Sequence, residues 1–481
     1  MQSKTLLLLS ALCLASSALP GCGDDPASRG PSSGNPGDGD NGDGDGDGDG
    51  DTGDGDNPHE FGDGDGDGDT SSGDGDAGPM EMGGQDTDPN LPTDGSLPKG
   101  EPAPNDWTWV SMKTTLCRNG SPAGYFYRKG SEKGLLIYLN GGGACADKFF
   151  CNLNPVDVDH DLPIEFLSHG TPDLFVGVRT QRQQAPEEGI FKRSEASNPV
   201  AKWSMIYIPY CTGDIHSGSR KDVEVPNVPG KQQFTGRLNY EKMLDSFGPT
   251  FADSTQVLLT GSSAGGFGSL FNADYTIEWF KKHGDKAKVK IISDSGVPFQ
   301  NAYMAACLQK RWRTYWGLDD ILPKDCTDCF AADGGDIVKG YGNWLFHKKY
   351  EGQVLGGFIS SVEDEIIRAF YAPGLSMTKG KPDDCTLDPT SNTIKEAVIG
   401  SAGGLFGNEY TGQMFTDGLK DVLSTVVHRP GVVGFYTIPG TPHMHIWRPR
   451  FYEKNGNDQT IAEWTKDILA GKPTEQGTLF K

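Results

Sequence analysis

Val257-Leu258-Leu259-Thr260-Gly261-Ser262-Ser263-Ala264-Gly265-Gly266 joins an apolar run to a G-x-S-x-G turn and then to a helix-length segment. That is the pattern of a strand that reverses sharply into a helix through a nucleophile elbow. Such a turn strains the backbone of its apex residue, and neighbouring chain passes too close for any but small side chains. Gly261, Ala264 and Gly265 provide that room, and Ser263 is the candidate nucleophile. A G-x-S-x-G string also occurs in ordinary Gly/Ser loops, so its surroundings carry the reading.

Upstream, Gly134 to Leu139 is a continuous apolar run, as expected for a strand buried on both faces of a mostly parallel sheet. It ends in Asn140-Gly141-Gly142-Gly143-Ala144-Cys145. Consecutive glycines after a buried strand let backbone N–H groups face a developing negative charge, and Gly142 and Gly143 are the candidate oxyanion-hole donors. Leu174–Val178 and Met205–Ile208 read as further strands. The latter ends in Pro209-Tyr210-Cys211-Thr212-Gly213-Asp214-Ile215-His216, which places Asp214 and His216 where open α/β sheets bind ligands. A loop-stabilising role is the alternative for both. After the elbow, one helix is expected from about Gly265 to Lys282, stopped at His283-Gly284. Strands follow at Val289–Ile292, Val354–Ser360 and Val432–Ile438, and a last helix at about Thr460–Ala470. Buried strands separated by crossover-length segments give a doubly wound, mostly parallel α/β sheet with insertions.

The amino-terminal part has a different physics. Residues 1–21 carry Lys4, an apolar run from Leu6 to Leu19, and Leu19-Pro20-Gly21-Cys22. This is a secretory signal that resembles a bacterial lipoprotein signal, whose cleavage leaves a lipidated Cys22; acyl chains there would anchor the protein to a membrane leaflet. Residues 22–104 form a Gly/Asp-rich linker with too little apolar surface to offset chain entropy. Twenty-two of the 66 acidic residues lie between residues 23 and 100 against Arg29 and Lys99, so about −20 of the formal net charge of −23 belongs to this tether. The acidic total therefore describes the tether, and it argues against nucleic acid as a partner. The Asp-x-Asp repeats lack the bidentate Glu and apolar anchor of a calcium loop. Residues 105–481 read as one folded domain.

Of the ten cysteines, Cys13 leaves with the signal and Cys22 is the lipid site. The remaining Cys117, Cys145, Cys151, Cys211, Cys307, Cys326, Cys329 and Cys385 suggest a disulfide framework in an exported chain. Cys326-Thr327-Asp328-Cys329 has no second pair and no His at ligand spacing, which favours disulfides over zinc.

An elbow serine needs a His to accept its proton and a carboxylate to orient that His, and in this fold they follow in the order Ser, acid, His after successive strands. His443, after Gly440-Thr441-Pro442, is the preferred base, with His445 as the alternative. Asp364 is the preferred acid, with Asp294 as the alternative. Trp312, Tyr315 and Trp316 form an aromatic cluster that suits either glycan binding or core packing.

The ordered series Gly120-Ser121-Pro122-Ala123-Gly124-Tyr125, Leu139-Asn140-Gly141-Gly142-Gly143-Ala144-Cys145, Ile208-Pro209-Tyr210-Cys211-Thr212-Gly213-Asp214, Gly261-Ser262-Ser263-Ala264-Gly265-Gly266 and Ser293-Asp294-Ser295-Gly296 resembles the pectin acetylesterase/Notum family. The resemblance runs from about Cys117 to His443. It implies an extracellular α/β-hydrolase acting as a carboxylesterase on acyl groups, acetyl on a polysaccharide such as pectin or a fatty acyl on lipid or protein, without metal or organic cofactor. By position it implies Ser263, Asp364 and His443 as the triad, Ala264 N–H beside Gly142 and Gly143 in the oxyanion hole, and a Cys145–Cys151 disulfide. Ala144 departs from the Trp usual at that place. The rival from another class is a non-catalytic, glycan-binding surface lipoprotein.

Overall fold

Apolar, β-branched and aromatic runs build the centre of the molecule. The computed structural model describes residues 96–98, 100–102, 106–159, 186–284, 286–375, 385, 410–427, 431–477 and 479. The signal sequence, Cys22, the Asp repeats and the strand expected at Leu174–Val178 lie outside the described residues. The strands are β1 Glu101–Pro102, β2 Thr108–Leu116, β3 Pro122–Arg128, β4 Gly134–Leu139, β5 Ser204–Ile208, β6 Arg220–Val223, β7 Gln232–Phe234, β8 Gln256–Ser262, β9 Lys288–Asp294, β10 Gly356–Ser361, β11 Val433–Ile438 and β12 Glu475–Gln476. Ten of them form one sheet in the order β1-β2-β3-β5-β4-β8-β9-β10-β11-β12. Pairing is antiparallel from β1 through β3 to β5 and parallel from β5 through β4 to β12. β4, β5, β10 and β11 are buried along their whole length, as parallel strands covered on both faces must be. This is the doubly wound, α/β-hydrolase-like architecture expected.

Helices flank the sheet: α1 Lys148–Asn152, α2 Gly236–Phe247, α3 Ala264–Phe271, α4 Ala273–His283, α5 Glu365–Tyr371, α6 Gly412–Val422 and α7 Ile461–Leu469. The single helix expected after the elbow is two. Asn272 breaks it, its Nδ2 donating to the carbonyls of Gly268 (2.9 Å) and His216 (2.9 Å). Its backbone keeps the bonds from its own N–H to Gly268 O and from Thr276 N–H to its carbonyl, while its φ of −93° and ψ of 3° leave helical values. α7 begins as expected at Thr460, whose side chain accepts from Glu463 N while the Glu463 carboxylate accepts from Thr460 N, a reciprocal capping box. Among the described residues no helix is long and apolar enough to cross a membrane.

Two further differences concern the domain edge and the aromatics. Within the segment read as linker, Glu101 pairs with Trp109 and Pro102 with Thr108, and Leu97 packs against the core. A proline is tolerated there because β1 is an edge strand. Trp312 and Trp316 are buried and stacked at 4.9 Å, which makes their cluster core packing.

The sheet register sets the site. Ser262 pairs with Asp294, Asp294 with Ile359, and Ser361 with Ile438. The chain segments after β8, β9, β10 and β11 therefore leave from neighbouring points along one edge. All eight cysteines of the folded part are bridged, as Cys117–Cys211, Cys145–Cys151, Cys307–Cys385 and Cys326–Cys329. The first spans a sequence separation of 94 residues, long enough for cross-linking to restrict the unfolded chain strongly. The double substitution Cys117→Ser/Cys211→Ser is expected to lower unfolding free energy by about 4 kcal/mol in urea titrations under oxidising conditions.

Candidate active site

Ser263 stands between β8 and α3 with φ +58° and ψ −124°, the left-handed side that an L-residue adopts only when its surroundings impose it. Glycines make the turn feasible. A Cβ on Gly265 would run into the Leu139 carbonyl, and one on Gly266 would lie 2.5 Å from the Asp294 carbonyl oxygen. The Ser263 N–H donates to Asp294 O at 2.9 Å, and no described residue hydrogen-bonds the Ser263 Oγ.

Asp364 is fully buried at the N-terminus of α5. Its Oδ1 accepts from the N–H groups of Ile366 and Ile367, both at 3.0 Å, so the helix end favours a negative charge there. His443 Nδ1 lies 2.8 Å from Asp364 Oδ2 and 3.0 Å from Oδ1. Against a carboxylate the ring nitrogen is the donor, which leaves Nε2 as the basic nitrogen of a neutral imidazole.

The two alternatives occupy other roles. Asp294 Oδ2 accepts from Ser262 Oγ (2.6 Å) and from the N–H groups of His445 (2.8 Å) and Ile446 (2.9 Å). Met444 N donates to the neighbouring Ser295 Oγ at 3.1 Å. Asp294 thus ties the elbow strand to the loop that carries His443. His445 is fully buried. Since the Ser361 hydroxyl donates to Pro442 O at 2.5 Å, the His445 Nε2–H is the donor in its 3.2 Å contact with Ser361 Oγ. The opposite nitrogen, Nδ1, has no hydrogen-bond partner among the described residues. Of the two candidate acids and two candidate bases, Asp364 and His443 are the pair in which a carboxylate meets an imidazole nitrogen, whereas Asp294 meets only the backbone N–H of His445.

The glycine loop lies directly on the elbow: a Cβ on Gly141 would sit 2.9 Å from Ser263 Cβ. The N–H groups of Gly142, Gly143 and Ala264 have no acceptor among the described residues. The Cys145–Cys151 bridge closes the chain that follows. The buried Arg118 guanidinium holds it from behind through Cys151 O (2.8 Å) and Asn154 O (3.0 Å), and burial pulls its pKa down to about 10. Phe370 of α5 approaches the loop from the other side, 3.1 Å from where a Gly143 Cβ would be, with Phe150 against its ring at 4.7 Å.

Asp214 and His216, expected near substrate, are built into the scaffold. Asp214 is fully buried and accepts from Thr212 Oγ1 (2.6 Å) and Gly236 N (2.6 Å). His216 is buried and donates from Nε2 to Asn140 O at 2.8 Å. Asn154, Tyr210 and Phe370 also surround the loop; Tyr210 lies in the strand-end stretch after β5, but the roles of all three are identified only by their contacts. Among the described residues no group of His, Cys, Asp or Glu is arranged to hold a metal.

Residues 104–333 match the Pectinacetylesterase family profile. Pectin acetylesterase 5 of Arabidopsis thaliana is 31% identical over 187 residues, 38% of this chain and 39% of that protein. Human palmitoleoyl-protein carboxylesterase NOTUM is 31% identical over 190 residues, 38% of this chain and 34% of that one. The chain thus aligns with well under half the length of these relatives. The crystal structure of the Drosophila Wnt deacylase Notum superposes with a TM-score of 0.51 at 17% identity, covering 76% of this chain and 94% of that one, which shows a shared fold.

Burial controls the other ionisable groups around the site. It lowers the His216 pKa to about 4 and that of His445 to about 3, and raises Asp214 to about 6; Asp294 is raised as well. A buried imidazole with a depressed pKa binds fewer protons than it does unfolded, so its contribution to stability is lost as pH falls below 6.5. The two carboxylates drift the opposite way. Substituting His445→Gln removes one imidazole and leaves them in place. The wild type should therefore lose about 2 to 3 kcal/mol more stability than this variant between pH 7 and 4.5, read from urea unfolding at each pH.

Proposed function

We propose that the chain, which is similar to the pectin acetylesterase/Notum family, is an exported serine carboxylesterase that removes acetyl groups from a polysaccharide such as pectin. In this reading Ser263 Oγ gives its proton to His443 Nε2 and attacks the ester carbonyl. Asp364 holds the imidazole tautomer and balances its charge, while the N–H groups of Gly142, Gly143 and Ala264 stabilise the oxyanion. The His443 imidazolium then protonates the leaving alkoxide, and the same nitrogen activates the water that releases the acid from Ser263. What carries the reading is the 2.8 Å contact of His443 with Asp364 on the sheet edge from which the Ser263 elbow also rises.

A small acyl group is favoured over a fatty one because Phe370, backed by Phe150, crowds the glycine loop. Export is supported by the four disulfides, which persist in oxidising compartments. The domain would hang from lipidated Cys22 on the acidic tether that precedes Leu97 and β1.

In the full chain, Ser263→Ala is expected to reduce turnover of an aryl acetate by about 10⁴-fold or more, and a fluorophosphonate should label the wild type at Ser263. Turnover retained within about tenfold would remove Ser263 as the nucleophile, and absent labelling would return the chain to the non-catalytic glycan-binding reading. A series of aryl esters from acetate to palmitate should peak at acetate, whereas a peak at the long chains would make it a deacylase of lipids or acylated proteins. Asp364→Asn should cost on the order of thousands-fold in kcat, and Asp294→Asn, which keeps an oxygen for the two backbone donors, about tenfold or less. The reverse ranking would make Asp294 the acid.

A further inference from the structure

We infer that Tyr210, Asn154 and His216 are positioning residues that aim the N–H groups of the glycine loop at the substrate oxyanion; the inference rests on the esterase reading above. Three carbonyls of the loop each accept a hydrogen bond from a buried side chain. Asn140 O accepts from His216 Nε2 (2.8 Å), Gly142 O from Asn154 Nδ2 (2.8 Å) and Gly143 O from the Tyr210 hydroxyl (3.0 Å).

A trans peptide is planar, with its carbonyl and the next N–H pointing opposite ways. Holding Gly142 O towards Asn154 therefore sends the Gly143 N–H the other way, and holding the planes on either side restrains the Gly142 N–H between them. Neither N–H has an internal acceptor among the described residues. Backbone donors without partners are costly in a folded interior, and here a ligand oxygen would satisfy them. Glycine alone has the flexibility to let these planes turn, so something outside the loop must hold them.

Two of the three side chains, Tyr210 and Asn154, stand close against the glycines. A Cβ at position 142 would lie 2.6 Å from Tyr210 Cδ1, and one at 143 would lie 2.9 Å from Asn154 Nδ2. They are themselves fixed. The Tyr210 oxygen accepts from Ile215 N at 2.7 Å, and its ring packs on His216 at 4.7 Å. Ile215 and His216 both hold positive φ, +52° and +56°, a conformation that a β-branched residue keeps only when its surroundings impose it. The preceding residue, Asp214, is anchored by accepting from Thr212 Oγ1 on one side and from Gly236 N of α2 on the other. Burial lowers the His216 pKa to about 4 and so favours the neutral ring, and the Asn140 carbonyl, which can only accept, fixes its proton on Nε2.

The test compares Tyr210→Phe, Asn154→Ala, His216→Gln and His216→Ala with the wild-type full chain on an aryl acetate. Near-ultraviolet circular dichroism would identify the variants that fold. Tyr210→Phe and Asn154→Ala are expected to lower kcat roughly 10- to 100-fold with KM within about threefold. Their affinity for methylboronic acid, which forms a tetrahedral adduct on a serine, should fall in parallel. His216→Gln, which retains an N–H donor, should keep more activity than His216→Ala. Folded variants with wild-type kcat, or with kcat losses unmatched in boronate affinity, would overturn the inference while leaving the esterase reading intact. A wild type without Ser263-dependent turnover would overturn both.

Discussion

The site depends on one buried carboxylate that is not part of the proposed chemistry. Asp294 ends β9, and its main-chain oxygen accepts from Ser263 while its Oδ2 accepts from Ser262, His445 and Ile446. Tyr138 extends the chain by donating to Ser262 Oγ at 2.9 Å. The elbow comes from β8, and the histidine loop follows β11, two strands farther along the sheet than β9. Without a direct tie, their separation would follow every flexing of the loop after β11. A charged acceptor for two successive backbone N–H groups is among the stronger neutral-to-ionic contacts, and it fixes that loop beginning two residues after His443. Desolvation pushes the Asp294 pKa up, and the donors around it offset part of that cost.

The glycine loop shows the same division of labour. On one face, glycines let backbone reach Ser263; on the other, buried donors hold the carbonyls. The polar groups behind the loop are deeply buried, and each would be costly without its partner. The strained Ile215–His216 backbone, the Cys145–Cys151 bridge and the Arg118 guanidinium all act on this face. Preorganised donors of this kind stabilise developing charge without reorganising at the moment of reaction.

Periodicity and turn chemistry made most of the sheet legible. The runs at Gly134–Leu139, Met205–Ile208, Val289–Ile292, Val354–Ser360 and Val432–Ile438 each fall on a strand, because strands buried on both faces must be continuously apolar. The helix break at Asn272 was not legible, since it depends on the His216 carbonyl lying 56 residues away in sequence. Nor were the roles of Asp214 and His216: a polar residue after a strand end suits a ligand or a loop equally, and only burial separates the two. Asn154 and Tyr210 act through carbonyls of the loop, and no spacing rule links a side chain to a distant carbonyl. Glu101–Pro102 read as tether because composition cannot show that an edge strand is being extended.

The two histidines of the Pro442–Ile446 segment illustrate what sequence order leaves open and physics closes. Each is within reach of the sheet edge, and chain order admits either. Among the described residues no carboxylate hydrogen-bonds the His445 ring, and desolvation lowers its pKa to about 3, so a proton taken from a serine would create a buried cation with no hydrogen-bonded anion. His443 has Asp364 at 2.8 Å, and Asp364 is in turn held by two N–H groups at the start of α5. A charge formed on His443 meets an anion already desolvated and already oriented. Met444 between them has φ +60°, and this reversal lets residues only two apart meet such different surroundings, one inward against Ser361 and one against the acid.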